Sequence, residues 1–172
     1  NERSGVFGGA GTIFGDVLNH GLLGPEDDLS DDATTTLTIN GDLTNTDTAT
    51  LLFDIGGNIA GDNYDLLDIT GNITFGGSLI LLWDETFSAN DLDTFDFLQY
   101  TGTQSGSFKR EIVPVGVESH SLSIVPGSPN SYQLTTTTVG NIIFWDPFAS
   151  GNWNDSANWL GGVVPGATDY AT

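Results

Sequence analysis

Apolar residues recur along this chain in short, strand-length groups separated by glycine, asparagine and aspartate. Leu37-Thr38-Ile39 and Phe95-Asp96-Phe97 alternate apolar and polar positions, as a half-buried strand requires. Leu51-Leu52-Phe53-Asp54-Ile55, apolar at four of its five positions, makes a further strand, and Ser78-Leu79-Ile80-Leu81-Leu82-Trp83 is apolar nearly throughout, which predicts that this last strand is buried on both faces. Glu111 to Val115, Ser121 to Val125, Tyr132 to Thr137 and Asn141 to Trp145 complete the expected strands, with Pro114 marking an edge or bulge. A helix would need apolar residues at i, i+3, i+4 and i+7 without glycine between them, and no segment of ten residues has them. The class is all-β.

One phrase organises these groups. Asp68-Ile69-Thr70-Gly71-Asn72-Ile73 reads as strand, tight corner, strand. It recurs as Thr38-Ile39-Asn40-Gly41-Asp42-Leu43 and as Thr12-Ile13-Phe14-Gly15-Asp16-Val17, so the corner glycines lie 26 and 30 residues apart. An irregular repeat of one corner, with apolar residues in matched places, is the mark of stacked β-coils. The expected organisation is solenoid coils over 1–83, sandwich-like or capping strands over 84–143, and a different segment over 144–172. That last segment carries two Asn-Trp pairs, Asn152-Trp153 and Asn158-Trp159, then Gly161-Gly162 and Pro165-Gly166, and looks like the opening of a further unit.

Composition narrows the function classes. Acidic residues number 23 against 3 basic ones, for a formal charge of −20. Binding phosphate needs Lys and Arg to displace counterions, so nucleic acid and anionic membranes are excluded as partners. No run of 18 apolar residues is present, so no membrane-inserted span is expected. Absence of cysteine rules out disulfides and thiolate metal sites, which leaves packing and backbone hydrogen bonds to supply stability.

The order of four phrases resembles the passenger-associated β-strand repeats of autotransporter-like and other bacterial surface proteins. The phrases are Gly9-Ala10-Gly11-Thr12-Ile13-Phe14-Gly15-Asp16, Leu37 to Asp42, Tyr64-Asp65-Leu66-Leu67-Asp68-Ile69-Thr70-Gly71, and the Asn152 to Asp169 segment. Together they span about two thirds of the chain and are weakest across 101–143. The resemblance implies a right-handed parallel β-solenoid, closed by a sandwich-like part, on an extracellular bacterial protein. In that family the Asn-Trp element opens a unit, whereas here it comes last, as in a window across two tandem units or a permuted subunit.

Candidate chemistry is sparse. Asp62, Asp65 and Asp68 lie three apart and could hold one Ca²⁺, the one cofactor the composition suggests; equally, Asp65 and Asp68 could serve as turn residues that tolerate the corner's dihedrals. Asp27, Asp28, Asp31 and Asp32 form a second acidic group, and Asp91, Asp93 and Asp96 a third that lacks the glycine and closing glutamate of an EF-hand loop. His20 and His120 have no partner at metal-ligand spacing, and no Gly-x-Ser-x-Gly motif supports a nucleophile. Trp83, Trp145, Trp153 and Trp159 could form a sugar-stacking face or fill a cap.

The expectation is a non-enzymatic extracellular structural protein whose coils stack end to end into a filament, surface layer or adhesin stalk. Its partners would be copies of itself or neighbouring repeats packed head-to-tail, with Phe144, Trp145, Trp153 and Trp159 at the contact. The alternative is a carbohydrate-binding or polysaccharide-cleaving solenoid module that meets cell-surface glycans. An exposed aromatic row beside carboxylates would distinguish it.

Overall fold

A computed structural model describes residues 5–25, 34–84, 87, 89–113, 119–137, 142–145, 151–160, 162–166 and 170–171. The strands are β1 (Val6–Gly8), β2 (Gly11–Phe14), β3 (Val17–Asn19), β4 (Leu22–Gly24), β5 (Thr36–Asn40), β6 (Leu43–Asn45), β7 (Thr50–Ile55), β8 (Leu66–Ile69) and β9 (Ile73–Phe75). They continue with β10 (Ser78–Trp83), β11 (Thr94–Tyr100), β12 (Gln104–Gly106), β13 (Arg110–Ile112), β14 (Ser119–Val125), β15 (Asn130–Thr137), β16 (Ile142–Ile143) and β17 (Tyr170–Ala171). Among the described residues the one helical element is a 3-10 turn at Ser156–Asn158.

The protein is an all-β solenoid of about three turns. Each coil visits three walls in the same order. The first wall stacks β2, β5, β8 and β11, the second β3, β6, β9 and β12, and the third β1, β4, β7, β10 and β13. Three full turns run from β2 back to β11, and β12 and β13 extend the second and third walls once more. The stacked strands are parallel, as coils wound in one sense must be.

Register puts like residue over like. Leu37 pairs with Leu67 and Leu67 with Leu98; Ile13, Ile39, Ile69 and Tyr100 form the next column; Leu23, Leu51 and Leu79 line the third wall. These inward columns, with Phe53, Phe95 and Phe97, make one continuous core. Parallel coils repeat at about 4.8 Å, close enough for each side chain to touch the equivalent one above and below. That stacking explains why the matched apolar positions persist while the loops between them vary in length.

Two expectations change. β10 alternates buried and half-buried positions, with Leu79 and Leu81 inward and Ile80 and Leu82 on the outer face of the third wall. Its apolar run therefore signals an apolar outer column rather than burial on both sides. In β11 a bulge interrupts the alternation, so Phe97 and Leu98 are both buried.

The far end of the core is closed by the β14–β15 hairpin, which adds antiparallel to β11. Tyr132 of β15 lays its ring among Phe75, Phe97 and Phe108, at centroid distances of 5.3, 5.9 and 5.6 Å. Its hydroxyl donates to Glu111 Oε1 at 2.6 Å. Asn130 Nδ2 reaches the carbonyls of Tyr100 and Gly102, each at 3.3 Å, and so occupies backbone acceptors that a further coil would use.

Candidate functional site

The corner between the first and second walls is where the repeat is most regular. Gly15, Gly41 and Gly71 stack there as the sequence predicts, and Gly102 continues the column. A β-carbon at Gly41 would strike the backbone of Gly15; one at Gly71 would strike Gly41, and one at Gly102 would strike Gly71. Close approach of coil to coil is thus what demands glycine at these three positions. Gly15 has open space around it and needs glycine instead for its φ of +118°.

The residue after each glycine links the coils. Asp42 N–H donates to Asp16 Oδ1 at 2.9 Å, Asn72 N–H to Asp42 Oδ1 at 2.7 Å, and Thr103 N–H to Asn72 Oδ1 at 2.9 Å. A chain leaving a strand at a corner points its amide along the stack rather than into a sheet, and a short side-chain oxygen one coil below satisfies it. These bonds hold the Asp42 carboxyl below the usual carboxylate range, chiefly through the Asn72 amide. A second, internal ladder runs from Asn19 Nδ2 to Asn45 Oδ1 at 2.7 Å and from Asn45 Nδ2 to the Gly76 carbonyl at 2.6 Å.

Among the described residues Asp65 is the one buried carboxylate, 1% exposed. Its Oδ1 accepts from Thr35 N–H at 2.9 Å and its Oδ2 from Asp54 N–H at 3.0 Å, so it ties the start of β5 to β7. Burial pushes it up to about 6, against the downward pull of those two amides. Asp62 sits in the exposed turn before it, where its carbonyl accepts from Thr34 Oγ1 at 2.7 Å, and Asp68 stands on the outer face of β8. Among the described residues no three acidic or histidine side chains gather into a set able to hold a metal ion.

The other candidates disperse as well. Asp93 Oδ2 accepts from Asn90 N–H at 2.7 Å, while Asp96 Oδ1 accepts from Ser131 Oγ at 2.6 Å and Gln133 Nε2 at 3.0 Å. Asp27, Asp28, Asp31 and Asp32 lie outside the described residues. His20 Nδ1 lies 3.2 Å from Thr46 Oγ1, and His120 is on the hairpin strand β14. Trp83 is half-buried between Phe87 and Phe95, and its indole N–H donates to the Phe87 carbonyl at 2.8 Å. It is therefore apart from the three terminal tryptophans.

Those three form a unit of their own. Trp159 is 3% exposed, with Trp145 and Trp153 set edge-on against it at 4.9 and 4.6 Å. Trp159 Nε1 donates to the Trp153 carbonyl at 2.9 Å, and Asn158 Nδ2 to the Asn152 carbonyl at 2.8 Å. Each Asn-Trp pair thus serves the other: the asparagines close the loop and the indoles fill it. Leu160 N–H donates to the Phe144 carbonyl at 2.8 Å, which brings these two residues side by side. Phe144, Trp153 and Leu160 keep 52%, 51% and 54% of their surface exposed. Of the four residues expected at a contact, Phe144 and Trp153 are therefore available and Trp159 is not.

A second apolar surface lies on the first coil. Position for position, Phe14 aligns with Asn40, Thr70 and Thr101, and Leu18 with Thr44, Thr74 and Ser105. These columns face outward and are polar in every later coil. In the first coil they are apolar, with Phe14 83% and Leu18 61% exposed. Aligning the coils on their corner glycines would have shown the exchange. No protein-family model matches this chain, and no curated protein matches it in sequence.

Proposed function

We infer that this chain is a non-enzymatic structural unit of an extracellular bacterial surface, a solenoid spacer that packs head-to-tail into a filament, layer or stalk. The observation that carries this reading is the polarity of the solenoid. One end is closed by the hairpin with Tyr132 and Asn130, while the first coil turns Phe14 and Leu18 outward in columns that are polar in every later coil. An exposed apolar patch of this kind marks a contact surface. Two different surfaces, one on the first coil and one on the terminal tryptophan unit, pair heterologously, and a heterologous contact propagates instead of closing. The carboxylates of Asp16, Asp42 and Asp65 are taken up in bonds between coils, so these three serve cohesion. The charge of −20 opposes close packing of copies, so assembly strengthens as salt or Ca²⁺ screens it.

Electron microscopy of the purified full chain at low and high salt tests the reading. Linear assemblies that lengthen with salt are expected. Isolated particles at every salt and protein concentration would overturn it.

A further inference from the structure

We propose that the β14–β15 hairpin is an autoinhibitory cap, which keeps the last coil from accepting the first coil of a second copy. The proposal is separate from the contact of the terminal tryptophan unit and concerns stacking of coil directly on coil.

The repeat shows what the covered edge is built to accept. Thr101 N–H donates to the Ile69 carbonyl at 3.1 Å and Gly102 N–H to the Gly71 carbonyl at 2.9 Å, so the coil below offers two acceptors at this corner to the coil above. Tyr100 stands one coil on from Ile69, and Gly102 one coil on from Gly71. Their carbonyls are the ones that Asn130 Nδ2 takes, each at 3.3 Å. One side-chain amide, with its two N–H groups, thus stands where two backbone amides of a further coil would stand. Asn130 Oδ1 accepts from Gly127 N–H at 3.2 Å, which turns the NH₂ group toward β11. Ser131 and Gln133 fasten the hairpin on the outer face through Asp96, while Tyr132 fills the end of the core. The hairpin runs antiparallel to β11, against the parallel sense of the coils, so it stops the stack instead of continuing it.

The partner kept out is a first coil, because the repeat is complementary to itself. Among the described residues Phe7, Ile13 and Val17 head the inward columns of the third, first and second walls, and Phe7 keeps 54% of its surface exposed. Laid over β11 in the register the coils already use, β2 of a second copy would set Ile13 on Tyr100 and Thr12 on Gln99. An open strand edge with its matching strand on the same chain invites such pairing, and natural sheets cover or blunt edges of this kind. The two other walls are blunted at the hairpin end: β12 is three residues long, and β13 begins with Arg110 and Glu111.

The test uses the absence of cysteine from the chain. Thr12 and Gln99 lie in one outward column, three coils apart. Coils repeat at about 4.8 Å, so the two are too far apart to bond within one copy, but in coil-on-coil stacking they are neighbours on adjoining copies, within reach of a disulfide. The full chain carrying Thr12→Cys and Gln99→Cys, mildly oxidised at high salt, should run as a monomer on a non-reducing gel. The same chain with Asn130→Ala and Tyr132→Ala added should give a ladder of disulfide-linked dimers, trimers and longer species, with position 12 of one copy joined to position 99 of the next. Where this chain loses its cooperative melting, Asn130→Ala alone keeps the Tyr132 ring and makes the same comparison. Loss of its two hydrogen bonds should raise the cross-linked fraction about tenfold. An equal ladder from the capped chain, or none from an uncapped chain that melts cooperatively, would overturn the cap. Neither result bears on the head-to-tail reading, which is decided by linear assemblies of the parent chain.

Discussion

Asn72 N–H donates to Asp42 Oδ1 at 2.7 Å, and the Asn72 side-chain amide reaches both oxygens of the same carboxylate at 3.2 Å. One residue thus grips the equivalent residue of the coil below three times. Donors around a carboxylate favour its charged form, which is why Asp42 sits below its ordinary value of 3.8. A depressed carboxyl contributes stability that is present above 3.8 and lost as pH falls through the folded value. Thermal melts between pH 2 and 5 should therefore show a smaller acid loss in Asp42→Asn, which keeps an acceptor but cannot titrate. Parallel curves for the variant and the parent chain would remove the ladder from the acid response.

At the corner, Gly71→Val should destabilise by about 1–3 kcal/mol, because the added carbons meet the Gly41 backbone, which cannot yield without separating two coils. Gly15→Ala should also destabilise, for a different reason. Space is open there, but φ is +118°, and such backbone strain costs of order 1–3 kcal/mol. Chemical denaturation of both variants checks this; a Gly71→Val protein as stable as the parent would break the stacked-corner account.

Asp65 gives a pH dependence of opposite sign. Its carboxyl is raised to about 6 by burial, so the folded chain holds the proton more tightly than the unfolded one. The stability this group contributes is fully present below the ordinary value of 3.8 and is lost as pH rises through about 6. Asp65→Asn should melt lower overall, since its NH₂ faces one of the two amides that the carboxylate accepts from, Thr35 or Asp54. It should also lose the fall in melting temperature between pH 4 and 7 that the parent owes to this residue. Relief of self-repulsion on acidification is common to both proteins and cancels in the comparison. An unchanged slope in the variant would show that Asp65 does not titrate in this range.

The cap can be divided by two substitutions at one position. Tyr132→Ala removes a ring held among Phe75, Phe97 and Phe108 and should cost ~3–5 kcal/mol. Tyr132→Phe removes only the bond to Glu111 and should cost about 1 kcal/mol or less. Equal losses in denaturant melts would mean that the hydroxyl, not the ring, closes the core.

Much of this architecture was legible in the chain. Period-two alternation, glycine corners at 15, 41 and 71 and the absence of helical phase lead to stacked β-coils, because a corner that recurs with matched apolar neighbours can bury them only against its own repeats. The Asn-Trp pairs were legible as a unit, though not the burial of Trp159 between its two partners. What the tertiary structure alone decided is how register assigns each polar residue its work. Asp65 reads like any turn aspartate, and only the meeting of Thr35 and Asp54, distant in sequence, converts it into a buried link between coils. Tyr132 reads like a strand residue until the hairpin turns back over Phe75. Phe14 and Leu18 look like core residues in a linear pattern. They become a surface because each follows an inward residue of its strand, Ile13 or Val17, and so faces outward, in columns that every later coil fills with Asn, Thr or Ser.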